Sequence, residues 1–147
     1  MTELEILNEI NNGKKDLRSV DLSGIDLSGL NLFGANLSRA NLYKANLSAA
    51  NLSRANLSGA NLSSANLLNV NLFEANLSRA NLVDVNLGFA NLRGADLTDA
   101  NLHQASLFMA TLVDACLVGV DFTEADLTKA NFKGAKLSLI KQTTKYC

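Results

Sequence analysis

Residues 35–59 read ANLSRANLYKANLSAANLSRANLSG, five copies of one unit, Ala-Asn-Leu-x-x, joined without a spacer. Working outward in both directions, the same frame runs from Val20 to Leu139 with no insertion or deletion. From Leu22 to Leu137 there are 24 such units, and the central place is Leu in all but two, which carry Phe122 and Phe132. Two places earlier, 18 of the 24 are Ala; the others are Val20, Ile25, Leu30, Val70, Val85 and Val120. The place just before the Leu is Asn fifteen times and Asp five times, with Ser106, Thr111, Cys116 and Lys136 as the departures.

A period of five excludes both regular elements. On an α-helix, successive Leu would stand about 140° apart and spread around the cylinder. On a flat strand, an odd period sends successive Leu to opposite faces. The chain must therefore turn once per unit. Ala and Leu, two residues apart, share one side of a short extended segment, and a corner after each segment turns every pair toward one axis. The result is a solenoid with apolar side chains inside and hydrogen bonds to the coils above and below. The absence of Pro suits a backbone whose N–H groups almost all enter ladders. Seven of the nine Gly fall at the second place after the Leu, which marks the corner. Asn before the Leu is placed to bond turn backbone through its side chain.

These units resemble the pentapeptide-repeat family, whose motif is A-[DN]-L-x-x, and the match covers 120 of 147 residues. The short, regular, Leu-centred members abundant in cyanobacteria are the nearest in kind. The resemblance implies an all-β solenoid, a right-handed quadrilateral parallel β-helix with four units per coil. Twenty-four units then make about six coils, a rod roughly 29 Å long at the usual strand spacing.

The ends are read separately. Thr2 and Glu5 form a capping box for a helix over residues 3 to 11, with Leu4, Ile6, Leu7 and Ile10 as its apolar face and Asn11-Asn12-Gly13 as its stop. Residues 1–16 are thus expected to be a capping helix and connector, 17–139 the β-helix and 140–147 a C-terminal tail. The tail is short for a cap. Either the last coil is left to pair with a second copy, giving a homodimer through the C-terminal coils, or Phe122, Phe132, Ile140 and Tyr146 cover it.

Composition excludes several function classes. The chain has the length of one domain. Thirteen Lys and Arg against 14 Asp and Glu leave a net charge of −1, which speaks against direct nucleic-acid binding. No apolar run is long enough to span a membrane. The acidic start, with Glu3, Glu5 and Glu9, does not read as a signal peptide, and Cys116 and Cys147 do not make a disulfide framework. A cytoplasmic location is expected.

Catalytic, cofactor and metal sites are not expected. The interior is filled from every side, His103 is the only histidine, and Cys116 belongs to a different face. The acids from residue 84 to 126 form a belt over all four faces rather than a stripe. The leading feature is a set of outward apolar residues. Leu68, Gly88, Phe89, Phe108 and Met109 fall on one face in three successive coils; Phe33, Phe73 and Val113 lie around the next corner and Val118 on the face after that. Such residues on a Ser- and Asn-rich surface mark a candidate protein interface at Leu68, Phe73, Phe89, Phe108, Met109, Val113 and Val118. The expected role is a non-enzymatic interaction scaffold with an unidentified protein partner. The alternative, which the family resemblance supplies, is a DNA-mimicking regulator of DNA gyrase of the quinolone-resistance type.

Overall fold

The computed structural model describes residues 3–141. Thr2 of the expected capping box, and Tyr146 and Cys147 of the tail, lie outside them. Helix α1 spans Glu3–Asn11. Ile6 and Ile10 are buried against the first coil and Leu7 packs beside them, but Leu4 is 68% exposed, contrary to its expected place on the apolar face. At 100° per residue, Leu4 stands about 160° from Ile6, on the back of the helix.

From Asp16 onward each unit pairs in parallel with the unit twenty residues later, from Asp16 with Asn36 to Asp121 with Lys141. Twenty residues per coil and five per side make a four-sided helix. The unit Ala40 to Lys44 shows why this sequence builds it. Asn41 N–H donates to the Val20 carbonyl (3.0 Å), Leu42 N–H to the Asn61 carbonyl (2.7 Å) and Lys44 N–H to the Ser63 carbonyl (3.1 Å). Ala40 N–H closes the preceding turn on the Leu37 carbonyl (3.0 Å). The fifth N–H, that of Tyr43, goes to Asn41 Oδ1 (3.3 Å). All five amides are satisfied, as a close-packed backbone requires, and one of them depends on a side chain. The Asn place is that side chain. Its Nδ2 also donates along the rod, as from Asn61 to Asn41 and from Asn81 to Asn61 (3.1 Å each).

The central Leu are fully buried from Leu27 to Leu117, with the small Ala between them at 1–2% exposure or less. Each buried Leu contributes about 1.5–3 kcal/mol by leaving water. The second place after the Leu is left-handed in every unit, from Ser19 (φ 55°) to Leu139 (φ 56°). Only this one central residue of the turn has positive φ, the pattern of a type II turn. Glycine therefore marks the corner without being required there. Eighteen other residues take the same φ, each at a cost of about 1–2 kcal/mol, because the ladder on both sides fixes the turn.

Candidate functional site

The fold sorts outward residues into columns twenty apart. On the face bearing Leu67, Leu87 and Leu107, an apolar patch rises over three coils. Leu68 (39% exposed), Phe89 (51%) and Met109 (44%) are open to solvent, while Phe108 is half-buried. The Phe89 and Phe108 rings meet edge to face, with centroids 5.6 Å apart. Gly88 lies buried between them: a Cβ there would stand 3.1 Å from Leu68 Cδ1 and 3.8 Å from the Phe108 carbonyl oxygen. The missing side chain leaves room for the Leu68 side chain to lie over it. Lys129 closes the patch above, its ammonium 5.9 Å from the Phe108 ring.

The other candidate residues are not continuous with this patch. Phe73 and Val113 are half-buried in one column of the next face, with Arg93 between them. Val118 is half-buried on the face opposite the patch, above Thr98. Val113 and Val118, but not Phe73, share something else with Phe108. The amides of Phe108, Val113 and Val118 have no acceptor among the described residues. These are the positions two after Ser106, Thr111 and Cys116, where the Asn place has changed identity. At Arg93, Thr98 and His103, which follow Asn91, Asp96 and Asn101, the same N–H is bonded at 3.2, 2.9 and 3.0 Å. One coil thus presents three apolar side chains, each with an unused main-chain donor. The sequence shows the three departures; their consequence needs the hydrogen-bond pattern.

The sequence reading did not single out a pair of polar clefts on the face opposite the patch. One, about 680 Å³, lies among Arg18, Ser38, Arg39 and Ser58; the other, about 450 Å³, shares Arg39 and Ser58 and reaches Ser78 and Arg79. Reading every twentieth residue from Ser19, through Arg39, Gly59 and Arg79 to Asp99, would have shown it. At the C-terminal end Phe122, Leu127, Phe132, Leu137 and Ile140 line an apolar hollow of about 190 Å³.

His103 is half-buried on the remaining face, in the unit one coil below that of Asp121. Cys116 lies away from it, its Sγ 3.4 Å from Thr98 Oγ1. Among the described residues no three His, Cys, Asp or Glu gather as a metal site. Among the described residues no helix is long and apolar enough to cross a membrane.

Much of the acidic belt is engaged. Asp96 accepts from the Thr98 N–H and hydroxyl (2.9 and 2.6 Å), Asp84 from the Ser64 hydroxyl (3.1 Å), and Glu124 from Gln104 (2.9 Å). The Thr123 hydroxyl, and then its N–H, hold Asp121 below the ordinary Asp value of 3.8; Thr128 does the same for Asp126, Ser23 for Asp21 and Ser28 for Asp26. Depressed carboxylates add stability above the unfolded value, and that stability is lost as pH falls through the folded one. Melting temperature should hold down to about pH 4 and then drop. A variant with all four Asp changed to Asn, the residue that fills this place elsewhere, should lose most of that drop and keep the part due to Asp16, which Arg18 holds low. A wild-type curve that stays flat to pH 2 would show that these bonds do not favour the charged form.

The family model described as pentapeptide repeats (8 copies) matches the chain over residues 16–48, 40–79, 50–88, 75–112 and 105–140. The chain is a pentapeptide-repeat protein. Its coil of four units is the right-handed quadrilateral β-helix that the sequence motif implied. No match is found among proteins of curated function. Among solved structures, this pentapeptide-repeat protein is similar to HetL, a pentapeptide repeat protein involved in heterocyst differentiation regulation from the cyanobacterium Nostoc sp. strain PCC 7120. The identity is 25% and the TM-score 0.51, covering 95% of this chain and 96% of that one. It is similar also to Rfr23 from the cyanobacterium Cyanothece 51142, at 28% identity and TM-score 0.40, over 97% and 100%. QnrB1, a plasmid-mediated fluoroquinolone resistance protein, shares the fold at 21% identity and TM-score 0.53, over 84% and 77%.

Proposed function

We propose that this pentapeptide-repeat protein is a cytoplasmic, non-enzymatic scaffold that docks a partner protein on its third to fifth coils. The observation that carries the reading is an open aromatic patch with the unused backbone donor of Phe108 within it and a second such donor, Val113, on the adjoining face. Phe89, Phe108, Met109 and Leu68 supply apolar area. The amides at Phe108 and, around the corner, Val113 supply directional bonds that a partner's carbonyls would fill; that of Val118 faces the other side of the rod. The family is one of structural and interaction proteins, and HetL, similar over nearly its whole length, takes part in a regulatory process. The free, half-buried thiol of Cys116 suits a reducing compartment. The apolar hollow at the C-terminal end supports a homodimer formed end to end as part of the same reading.

The test is a pull-down from native lysate with wild type beside Phe89→Asp and Phe108→Asp, each bait first checked for folding and for mass in solution. A protein held by wild type and lost from both folded variants supports the reading. Equal capture by all three baits overturns the patch as the docking site. Likeness to QnrB1 extends to the fold alone, and with much of the belt engaged no observation favours the gyrase alternative over a scaffold.

A further inference from the structure

The chain has five arginines, and the structure divides them sharply. Arg18 clasps Asp16 through two bonds (2.8 and 2.7 Å), Arg54 bonds Glu74 (2.9 Å) and Arg93 stands 3.9 Å from Asp114. Arg39 and Arg79 are exposed and have no hydrogen bond or ion pair among the described residues. Both border the same cleft of about 450 Å³. They occupy one corner column two coils apart, a separation of about 10 Å at the usual ladder spacing. Between them the corner is Gly59, where a Cβ would lie 3.7 Å from Arg39 Cγ; the missing side chain leaves a notch flanked by two guanidinium groups.

A further donor faces this notch. Ser38, Ser53, Ser63 and Ser78 each give their hydroxyl to the Asn two places before, at 2.5 to 2.8 Å. Ser58, in the same cleft, uses only its N–H for that purpose (3.0 Å), and its hydroxyl has no partner among the described residues. Two planar, permanently charged forks and a free hydroxyl thus line one open cleft. Guanidinium groups bind tetrahedral oxyanions through paired, charge-assisted bonds.

We infer that the Arg39–Gly59–Arg79 notch is a binding site for a single phosphoryl dianion, carried on a serine or threonine of another protein or free as inorganic phosphate. A continuous nucleic-acid backbone does not fit, because Asp16 lies at one end of this face and Asp96 and Asp99 at the other. Asp99 stands one coil above Arg79 in the same column; its carboxylate leans the other way, over Gly119, and adds negative charge at that end of the cleft. The site lies opposite the apolar patch and does not depend on it.

The experiment is a titration of the folded protein, followed by amide chemical shifts, with inorganic phosphate, with a short neutral phosphoserine peptide and with the same peptide unphosphorylated. Saturable shifts at Ser58 and Gly59 are expected with the two phosphoryl ligands and not with the third. Arg39→Ala and Arg79→Ala should each weaken binding about tenfold, the effect of one lost charged hydrogen bond. Arg54→Ala, which breaks a pair on another face, should leave it unchanged, and Asp99→Asn should tighten it. Gly59→Glu puts a carboxylate in the notch and should abolish binding. It keeps the fold, since Glu74 and Glu124 already take positive φ at the same place of their units on other faces. Tighter binding of the peptide than of phosphate assigns the site to a modified partner; equal or tighter binding of phosphate assigns it to the free ion. No saturation below about 10 mM, or undiminished binding by Gly59→Glu, overturns the inference.

Discussion

Leu77→Asp should abolish the cooperative melting transition. Leu77 is fully buried in the middle of the rod, with coils of Leu and Ala above and below it. Truncation there to Ala would already cost about 3–5 kcal/mol in lost burial and residual cavity. A carboxylate adds the cost of a charge with no counter-ion or donor within reach, since every nearby amide is already bonded to a neighbouring coil or turn. Because a solenoid holds each coil only through its neighbours, damage in the centre separates the rod into two short stacks. Leu77→Met, which keeps volume and polarity, should cost less than about 1.5 kcal/mol. The comparison is read by thermal unfolding under circular dichroism. A Leu77→Asp curve equal to wild type would refute the inward place of the central Leu.

The second expected result runs the other way. Changing Ser106, Thr111 and Cys116 together to Asn should stabilise the protein by about 3 kcal/mol, roughly 1 kcal/mol for each amide given an acceptor. The ladder accepts the substitution: Ser106 stands between Asn86 and Asp126, and Thr111 between Asn91 and Asn131. If coil five is kept imperfect for the sake of a partner, the triple variant should also bind that partner less well while melting higher. Denaturant unfolding measures the gain. A triple variant no more stable than wild type would mean that water already satisfies these donors at no cost.

The inward and outward sides of the chain were legible to different degrees. The core could be read directly, because an odd period of five admits one arrangement that buries Leu and Ala together. Leu4 was misplaced because nine residues of helix allow several apolar arcs, and only the first coil decides which arc is covered. The corners were half-read. Gly24 or Gly94 announces a left-handed residue, but Arg39 or Phe89 in the same conformation does not, since there the constraint comes from the coils on either side. The apolar patch was found by taking every fourth unit. The notch was missed because its two arginines are forty residues apart and become neighbours only through the column of twenty. The unpaired amides were legible only as departures from Asn, and their meaning required an account of every N–H in the unit.

The rod keeps two clocks. Its interior repeats every five residues, and its surface every twenty. A chain that loses one pentapeptide between Leu68 and Phe89 would still point every later Leu at the axis, with no change in the core. Yet every outward residue beyond the loss would move a quarter turn around the rod, and Leu68 would no longer stand below Phe89 and Phe108. A chain that loses a whole coil would merely be shorter. Small changes of length can therefore redeal the molecular surface in one step while leaving the folding problem untouched, so that in such a fold surfaces are rearranged by arithmetic as readily as by substitution.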